Sequence, residues 1–321
     1  MKKIGLVGTY FPGAYNALHE NVPQGFELVD VLCKEDYDKL ADCEYMISRL
    51  NIDPDIINYV PNVRFWQRWG AGYDHVDLKA WGERGIPIGI CPGVNSGIVA
   101  ELAVMLMLAG YRNLLQINRD LRAGHWPKTE YFGRSFMIRG KTVGILGLGN
   151  IGKKVAALVS AFGAKVIYYD IIRMHEQEER FGYEFVQMDE LLRRSDIFSI
   201  HCPLDEVTCG MIGKEQLALL KPSAMLINTA RGPIVDEAAL VEALQTGVIA
   251  TAGLDTYEHE PLPKDHPLLT LDNVVASAHA GGNTKDNDIN MVTYVYDNIT
   301  AFDEGRPLRS EQDIVNGQYL R

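Results

Sequence analysis

Along this chain, short apolar and often β-branched runs alternate with longer stretches in which apolar positions recur every three or four residues. That alternation is the pattern of βαβ units, whose parallel strands are covered by helices on both faces. Two successive series are present. The first has strands predicted at KIGLVG (3–8), FELVDVL (26–32), YMIS (45–48), VRFWQRWG (63–70) and IPIGIC (86–91). The second has TVGILG (142–147), KVIYYD (165–170), IFSIH (197–201), AMLINTA (224–230), IATAGLD (249–255) and NVVASAH (273–279). Between them, NIGKKVAALVSAFG reads as a helix closing on Gly163, and DEAALVEALQTG as one opening on Asp236 and closing on Gly247. The apolar stretch 97–110 carries Glu101 and is too short to span a bilayer, so a buried helix is expected there. From Asn290 onward the pattern is helical with no strand after it, and periodicity leaves open which domain it joins.

Composition narrows the class. The chain has 321 residues, 47% hydrophobic and 23% charged, enough for two domains of roughly 100 to 200 residues each. A formal charge of −11 argues against nucleic-acid and anionic-membrane partners. The five cysteines contain no CxxC pair, which suggests neither a disulfide framework nor a zinc site, and no metal is expected. The start, MKKIGLVGTYF, has no apolar run of signal-peptide length before Pro12 and Gly13, so a cytoplasmic location and no membrane role are the expectation.

The second series opens with GLGNIG. Gly147 makes the tight turn, Gly149 lets the backbone approach a pyrophosphate, and Gly152 lets the following helix lie close to the strand. A lone glycine pattern is weak evidence. This one follows a strand, opens a helix and precedes Asp170 at the next strand end, where a carboxylate accepts from ribose hydroxyls. With six strands, the series then reads as a complete Rossmann sheet. The same carboxylate repels a 2′-phosphate, which favours NAD over NADP; Arg173, three residues on, is the one cation that argues the other way.

Ligands of open α/β sheets bind outside the carboxyl ends of the strands, here counted as the fourth, fifth and sixth of the series. Those ends lead into Arg231, Glu260 and His279. A histidine donating to a carboxylate is held in one tautomer and exchanges a proton through its other nitrogen. An arginine grips a carboxylate in a forked geometry and polarises the adjacent carbonyl. Together the three suit a 2-oxo or 2-hydroxy acid, with hydride passing between a nicotinamide and C2 while His279 exchanges the proton on oxygen. Taken singly, each is as well read as a surface or packing residue. Among other histidines, His201 is expected to be a wall residue near the cofactor, His259 and His266 solvated loop residues, and His19, His75, His125 and His175 show no convergent partners.

At these residues the chain resembles the D-isomer-specific 2-hydroxyacid dehydrogenases. The resemblance runs through GAGYDHVDLKAWGERGI, NSGIVAELAVMLMLA, GKTVGILGLGNIG, HCPLDEVT, LKPSAMLINTARGPIVDEAALVEAL, GLDTYEHEP and HAGGNT. It implies two doubly wound domains: a flavodoxin-like substrate domain (1–98 plus 283–321) and a Rossmann NAD-binding domain (99–282) inserted into it. It implies Arg231 on the substrate, Glu260 supporting the histidine and His279 as acid/base. It also implies that Gly70, Ala71 and Gly72 offer backbone N–H groups to the substrate carboxylate, an arrangement small residues permit. Cofactor contacts implied by motif position are Asn150, Ile151, Asp170, Cys202, Pro203, Thr208, Thr229, Ala230, Asp255 and Gly282. For Asp255, acceptance from the carboxamide nitrogen is chemically reasonable. SAHAGGNT departs from the proline and isoleucine that flank the histidine in many relatives.

Substrate choice is expected to rest on the first domain, in SRLNID (48–53) and around Tyr10, with HWPKTEYF (125–132) contributing across a homodimer contact. Tyr10, Trp126 and Phe132 are read at least as well as packing residues. Two other activities stay open: an NAD(H)-sensing binding protein like the family's corepressor branch, whose disordered extensions this chain lacks, and a formate-dehydrogenase-like enzyme, which has glutamine where Glu260 stands.

Overall fold

A computed structural model describes residues 1–49 and 52–320; Leu50 and Asn51, within the segment 48–53 considered for substrate choice, lie outside the described residues. The chain forms two compact units, one of Met1–Asn95 with the chain from Asn283 onward, the other of Ser96–Gly282.

The first unit begins β1 (Lys2–Val7), α1 (Pro12–Glu20), β2 (Phe26–Val31), β3 (Tyr45–Ser48), β4 (Phe65–Arg68), α2 (Leu78–Glu83) and β5 (Ile88–Gly89). Its strands are parallel in the order β2-β1-β3-β4-β5, the flavodoxin-like arrangement. Alternate residues point to opposite faces, so Ile4, Leu6, Tyr45, Ile47 and Phe65 enter one core, while Val7, Met46, Trp66 and Ile88 enter the other. Burial on both faces explains why these strands read as apolar runs.

The second unit contains α3 (Ser96–Tyr111), α4 (Leu114–Arg122), β6 (Thr142–Leu146), α5 (Asn150–Ala161), β7 (Lys165–Tyr169), α6 (His175–Phe181), β8 (Glu184–Phe185) and α7 (Met188–Arg194). After these come β9 (Ile197–Ile200), α8 (Lys214–Leu219), β10 (Met225–Asn228), α9 (Glu237–Thr246), β11 (Thr251–Leu254) and β12 (Val274–Ala276). The sheet runs β12-β11-β10-β9-β6-β7-β8, the doubly wound Rossmann order with one further strand. The expected count of six strands is corrected to seven. Strand β8 has two residues, Glu184 and Phe185, too few to make an apolar run, yet it pairs with β7 through Ile167 and Tyr168. The strand ends leading to Arg231, Glu260 and His279 are therefore the fifth, sixth and seventh.

Helix ends follow their local chemistry. Gly163 (φ +82°) lies just beyond α5 and Gly247 (φ +75°) caps α9, both left-handed, while the Asp236 carboxylate accepts from Ala239 N at 2.9 Å to start α9. Helix α3 is buried along Ala100, Ala103, Leu106 and Met107. Among the described residues no single helix is long and apolar enough to cross a membrane; the bent pair α3 and α4 is apolar enough only when taken together.

After the second unit the chain enters α10 (Lys285–Asp303), whose Met291, Val292, Val295 and Ile299 share a core with β1, β3 and β4 of the first. Buried amides fix the return: Asn298 donates to Gln67 Oε1 at 3.1 Å, and Asn316 accepts from Ile88 N at 2.8 Å while donating to Ile86 O at 2.9 Å.

Candidate active site

The carboxyl ends of β6 and β9 diverge at the point where strand order reverses, and the glycine turn lies there. Gly147 is left-handed at φ +90°, and a Cβ on it would stand 2.7 Å from Cys202 N, so only glycine fits. A Cβ on Gly152 would overlap Gly147 O, which is how the first turn of α5 comes to lie against the strand. At Gly149 a Cβ would meet nothing within 4 Å. Gly149 is also the N-cap of α5 and supplies no capping side chain, so the first-turn N–H groups, with Asn150 and Ile151, face an open cradle suited to an anion. Asp170 sits beside the turn, its Oδ2 accepting from Leu148 N at 2.7 Å and its Oδ1 from Ile172 N at 3.1 Å. Arg173 turns to Glu178, with Nε to Oε1 at 2.9 Å and Nη2 to Oε2 at 2.8 Å, and lies over the Phe185 ring. That guanidinium, with the Tyr168 hydroxyl, holds the Glu178 carboxyl down to about 2.

The other strand ends carry polar groups. Thr229 and Thr256 follow β10 and β11, and each has a buried hydroxyl with no hydrogen-bond partner among the described residues. An open glycine cradle, an uncapped helix start, a carboxylate at the next strand end and an orphaned hydroxyl fit the pyrophosphate, ribose and nicotinamide of a dinucleotide.

His279 follows β12 in the left-handed region (φ +49°), an uncommon place for a residue with a side chain and one that costs about 1–3 kcal/mol. Its Nδ1 lies 2.7 Å from Glu260 Oε2, and Glu260 Oε1 accepts from Tyr257 N at 3.1 Å. The carboxylate is thereby fixed from two sides, and Nε2 is the nitrogen left to work. Asp255, 2% exposed, accepts from Ala280 N (2.8 Å) and Gly281 N (2.9 Å) through its two oxygens, and its own carbonyl accepts from His279 N at 2.8 Å. The sequence assigns Asp255 to the cofactor, and the anchoring has no local signal, since the bonded N–H groups lie 25 and 26 positions along the chain.

Arg231 lies in the loop after β10. Asn228 holds that loop, donating to Arg231 O at 2.8 Å and accepting from Ala230 N at 3.0 Å. The guanidinium donates from Nη1 to Ala230 O at 2.8 Å. A Cβ on Gly232 would overlap the Tyr257 carbonyl, so the Arg231 loop and the loop carrying Glu260 touch backbone to backbone. Tyr257 in turn donates from its hydroxyl to Ser277 O at 2.7 Å, tying the loop to the segment before His279. His279 and Glu260 are thus in direct contact, and Arg231 is joined to them through Gly232 and Tyr257, two residues that sequence reasoning passed over.

The remaining expectations divide. His201 follows β9 with Nε2 2.8 Å from Ser199 Oγ and Nδ1 buried with no hydrogen-bond partner among the described residues; burial pulls its ring down to about 3 and keeps it neutral. The Cys202 thiol is pushed up to about 12 by burial. Thr208 closes the loop after Pro203, donating to Pro203 O at 2.7 Å and accepting from Asp205 N at 2.8 Å. Gly282 ends the second unit. His266 is corrected: it is not a solvated residue, but accepts from Leu268 N at 3.3 Å and lies 3.1 Å from Glu237 Oε1. His19 and His125 likewise have carboxylate partners, Asp30 at 3.1 Å and Glu130 at 2.6 Å. In the first unit, Gly70 is left-handed at φ +127° and accepts from Cys91 N at 2.8 Å; Ala71 follows it, and Gly72 O accepts from the buried Arg68 Nε at 2.9 Å. Tyr10 packs edge-on against Trp69 with its hydroxyl buried, whereas Trp126 and Phe132 are exposed. No group of three or more metal-ligating side chains occurs among the described residues.

A doubly wound sheet with this turn at its switch point defines the class, a dinucleotide-binding domain, with the His279–Glu260 pair at the same edge of the sheet. Comparison with known proteins narrows the class. The family model for the D-isomer specific 2-hydroxyacid dehydrogenase NAD-binding domain matches residues 104–281. A glyoxylate reductase of Korarchaeum cryptofilum is 38% identical over 284 residues, 87% of this chain and 86% of the relative. Among solved structures, an NADPH-dependent glyoxylate/hydroxypyruvate reductase from Sinorhizobium meliloti superimposes with TM-score 0.84 at 30% identity, over 100% of both chains. An NAD-dependent formate dehydrogenase from Staphylococcus aureus does so with TM-score 0.84 at 31% identity, over 98% of this chain and 99% of its own. This chain belongs to the D-isomer specific 2-hydroxyacid dehydrogenases. It is accordingly an enzyme that couples a nicotinamide cofactor to a 2-hydroxy acid.

Proposed function

We propose that the protein works as a D-specific 2-oxo acid reductase on a small acid such as glyoxylate or hydroxypyruvate, with NADH as reductant. The observation that carries this reading is the His279–Glu260 pair at 2.7 Å, which leaves Nε2 available. Bound nicotinamide supplies the hydride that adds to C2 of the oxo acid. His279 Nε2 gives the proton that the carbonyl oxygen takes up, and Glu260 holds the tautomer and balances the imidazolium charge. Arg231 grips the substrate carboxylate and draws electron density from the adjacent carbonyl. The first unit is the substrate-binding domain in this reading, with the N–H groups of Gly70, Ala71 and Gly72 toward the carboxylate.

NAD is the preferred cofactor by electrostatics. Asp170 repels a 2′-phosphate, and Arg173, the nearby cation, is engaged by both oxygens of Glu178. A homodimer is proposed on the apolar surface of α3, α4 and the following segment, where Met105, Leu114, Trp126 and Met137 are exposed.

A steady-state screen of 2-oxo acids with NADH and NADPH in parallel, with formate and NAD as a further arm, tests the reading. Reduction of glyoxylate or hydroxypyruvate with a preference for NADH is expected. Failure to oxidise either cofactor with any acid overturns it, and retained NADH binding in that case identifies a sensing protein instead.

A further inference from the structure

We infer that Asp255 is the positioning residue that sets the acid/base histidine, acting as an internal anion in a backbone nest that forces His279 into its left-handed conformation. The inference rests on the proposed role of His279. A left-handed residue turns the N–H groups that follow it toward one point, and such a nest binds an anion. Here the concavity formed by Ala280 N and Gly281 N is filled from within the chain by the two oxygens of Asp255, at 2.8 and 2.9 Å. The third bond, His279 N to Asp255 O at 2.8 Å, fixes the residue on the other side of the turn. Three bonds from one buried residue over-determine a conformation that His279 would not hold alone.

The residue type is restrictive. Asparagine has the same size but one acceptor, so its amide N–H would oppose one of the two backbone donors. Glutamate is one methylene too long for a site this closely packed. The neighbouring glycine is restrictive as well, since a Cβ on Gly281 would stand 2.9 Å from Asp255 Oδ2. A relaxed turn would swing the imidazole off Glu260, since the 2.7 Å bond from Nδ1 depends on where the turn puts the ring.

Asp255→Asn tests the role with three readouts: steady-state kinetics, the NADH dissociation constant, and the ring N–H proton resonance of His279, identified by its loss in His279→Ala. A fall in kcat of about 10²-fold, together with a shifted or broadened His279 ring resonance, is expected. An unchanged kcat and resonance, or a raised NADH dissociation constant alone, overturns the inference. Gly281→Ala disturbs the same contact with Asp255 intact, and it is expected to reproduce the resonance change even where Asp255→Asn does not fold. His279→Ala separates the two claims. If it keeps wild-type kcat, the acid/base reading fails; if it is inactive while Asp255→Asn and Gly281→Ala behave as wild type, only the positioning role fails.

Discussion

In the proposed chemistry Glu260 contributes a charge and Gly232 only a close backbone contact, and one substitution tests each. Glu260 accepts from Tyr257 N and pairs with His279, so replacing its charge leaves the geometry and removes the counter-charge. Glu260→Gln is expected to lower kcat by about 10²-fold with a much smaller change in KM for the oxo acid, measured by steady-state kinetics. Gly232 is held against the Tyr257 carbonyl, and Gly232→Ala pushes apart the loops bearing Arg231 and Glu260. A loss of about 10²-fold in kcat/KM, with the circular dichroism spectrum retained, is the expected outcome. That Glu260 and His279 would meet was legible because strand ends can be counted. The partners that fix them were not, since Asp255 bonds backbone 25 and more positions away and a sequence pattern carries no such distances.

Among elements, the β6–α5–β7 unit was read from its punctuation: glycines for the turn, Gly163 for the helix end, Asp170 for the next strand end. Its specificity claim is testable there. Asp170→Ser removes the repulsion of a 2′-phosphate, and the ratio of kcat/KM for NADH over NADPH is expected to fall by about tenfold or more. Strand β9 is anchored at its other end by Asp196, which accepts from Thr142 N at 2.8 Å and from Lys221 Nζ at 2.9 Å. Burial works to raise that carboxyl, but the Thr142 N–H and the Lys221 ammonium outweigh it and hold it below the usual range. A depressed carboxyl stabilises the fold above its unfolded value of about 3.9 and loses that contribution as pH falls through the folded value. Asp196→Asn is therefore expected to lower Tm at pH 7, with the difference from wild type shrinking below about pH 4 in thermal melts. Strand β8 escaped the pattern for the opposite reason: two residues with one apolar side chain have no period, and only pairing with β7 makes them a strand.

For the molecule as a whole, the proposed homodimer makes the remaining prediction. Leu114 and Met105 are both more than half exposed on an apolar surface, and Leu114→Glu with Met105→Glu places charges there. A shift from dimer to monomer by light scattering is expected, and a wild-type protein already monomeric at micromolar concentration would remove the proposal. Two series of buried strands, the glycine turn and the order of Arg231, Glu260 and His279 could be read directly from the chain. Each rests on local rules: apolar periodicity, the backbone freedom of glycine, and the placement of ligands at strand ends. The short strand β8, the engagement of Arg173 by Glu178 and the nest that Asp255 fills came only with the folded chain. Each of these depends on groups distant in sequence or on strand pairing, and distance in space is what folding supplies.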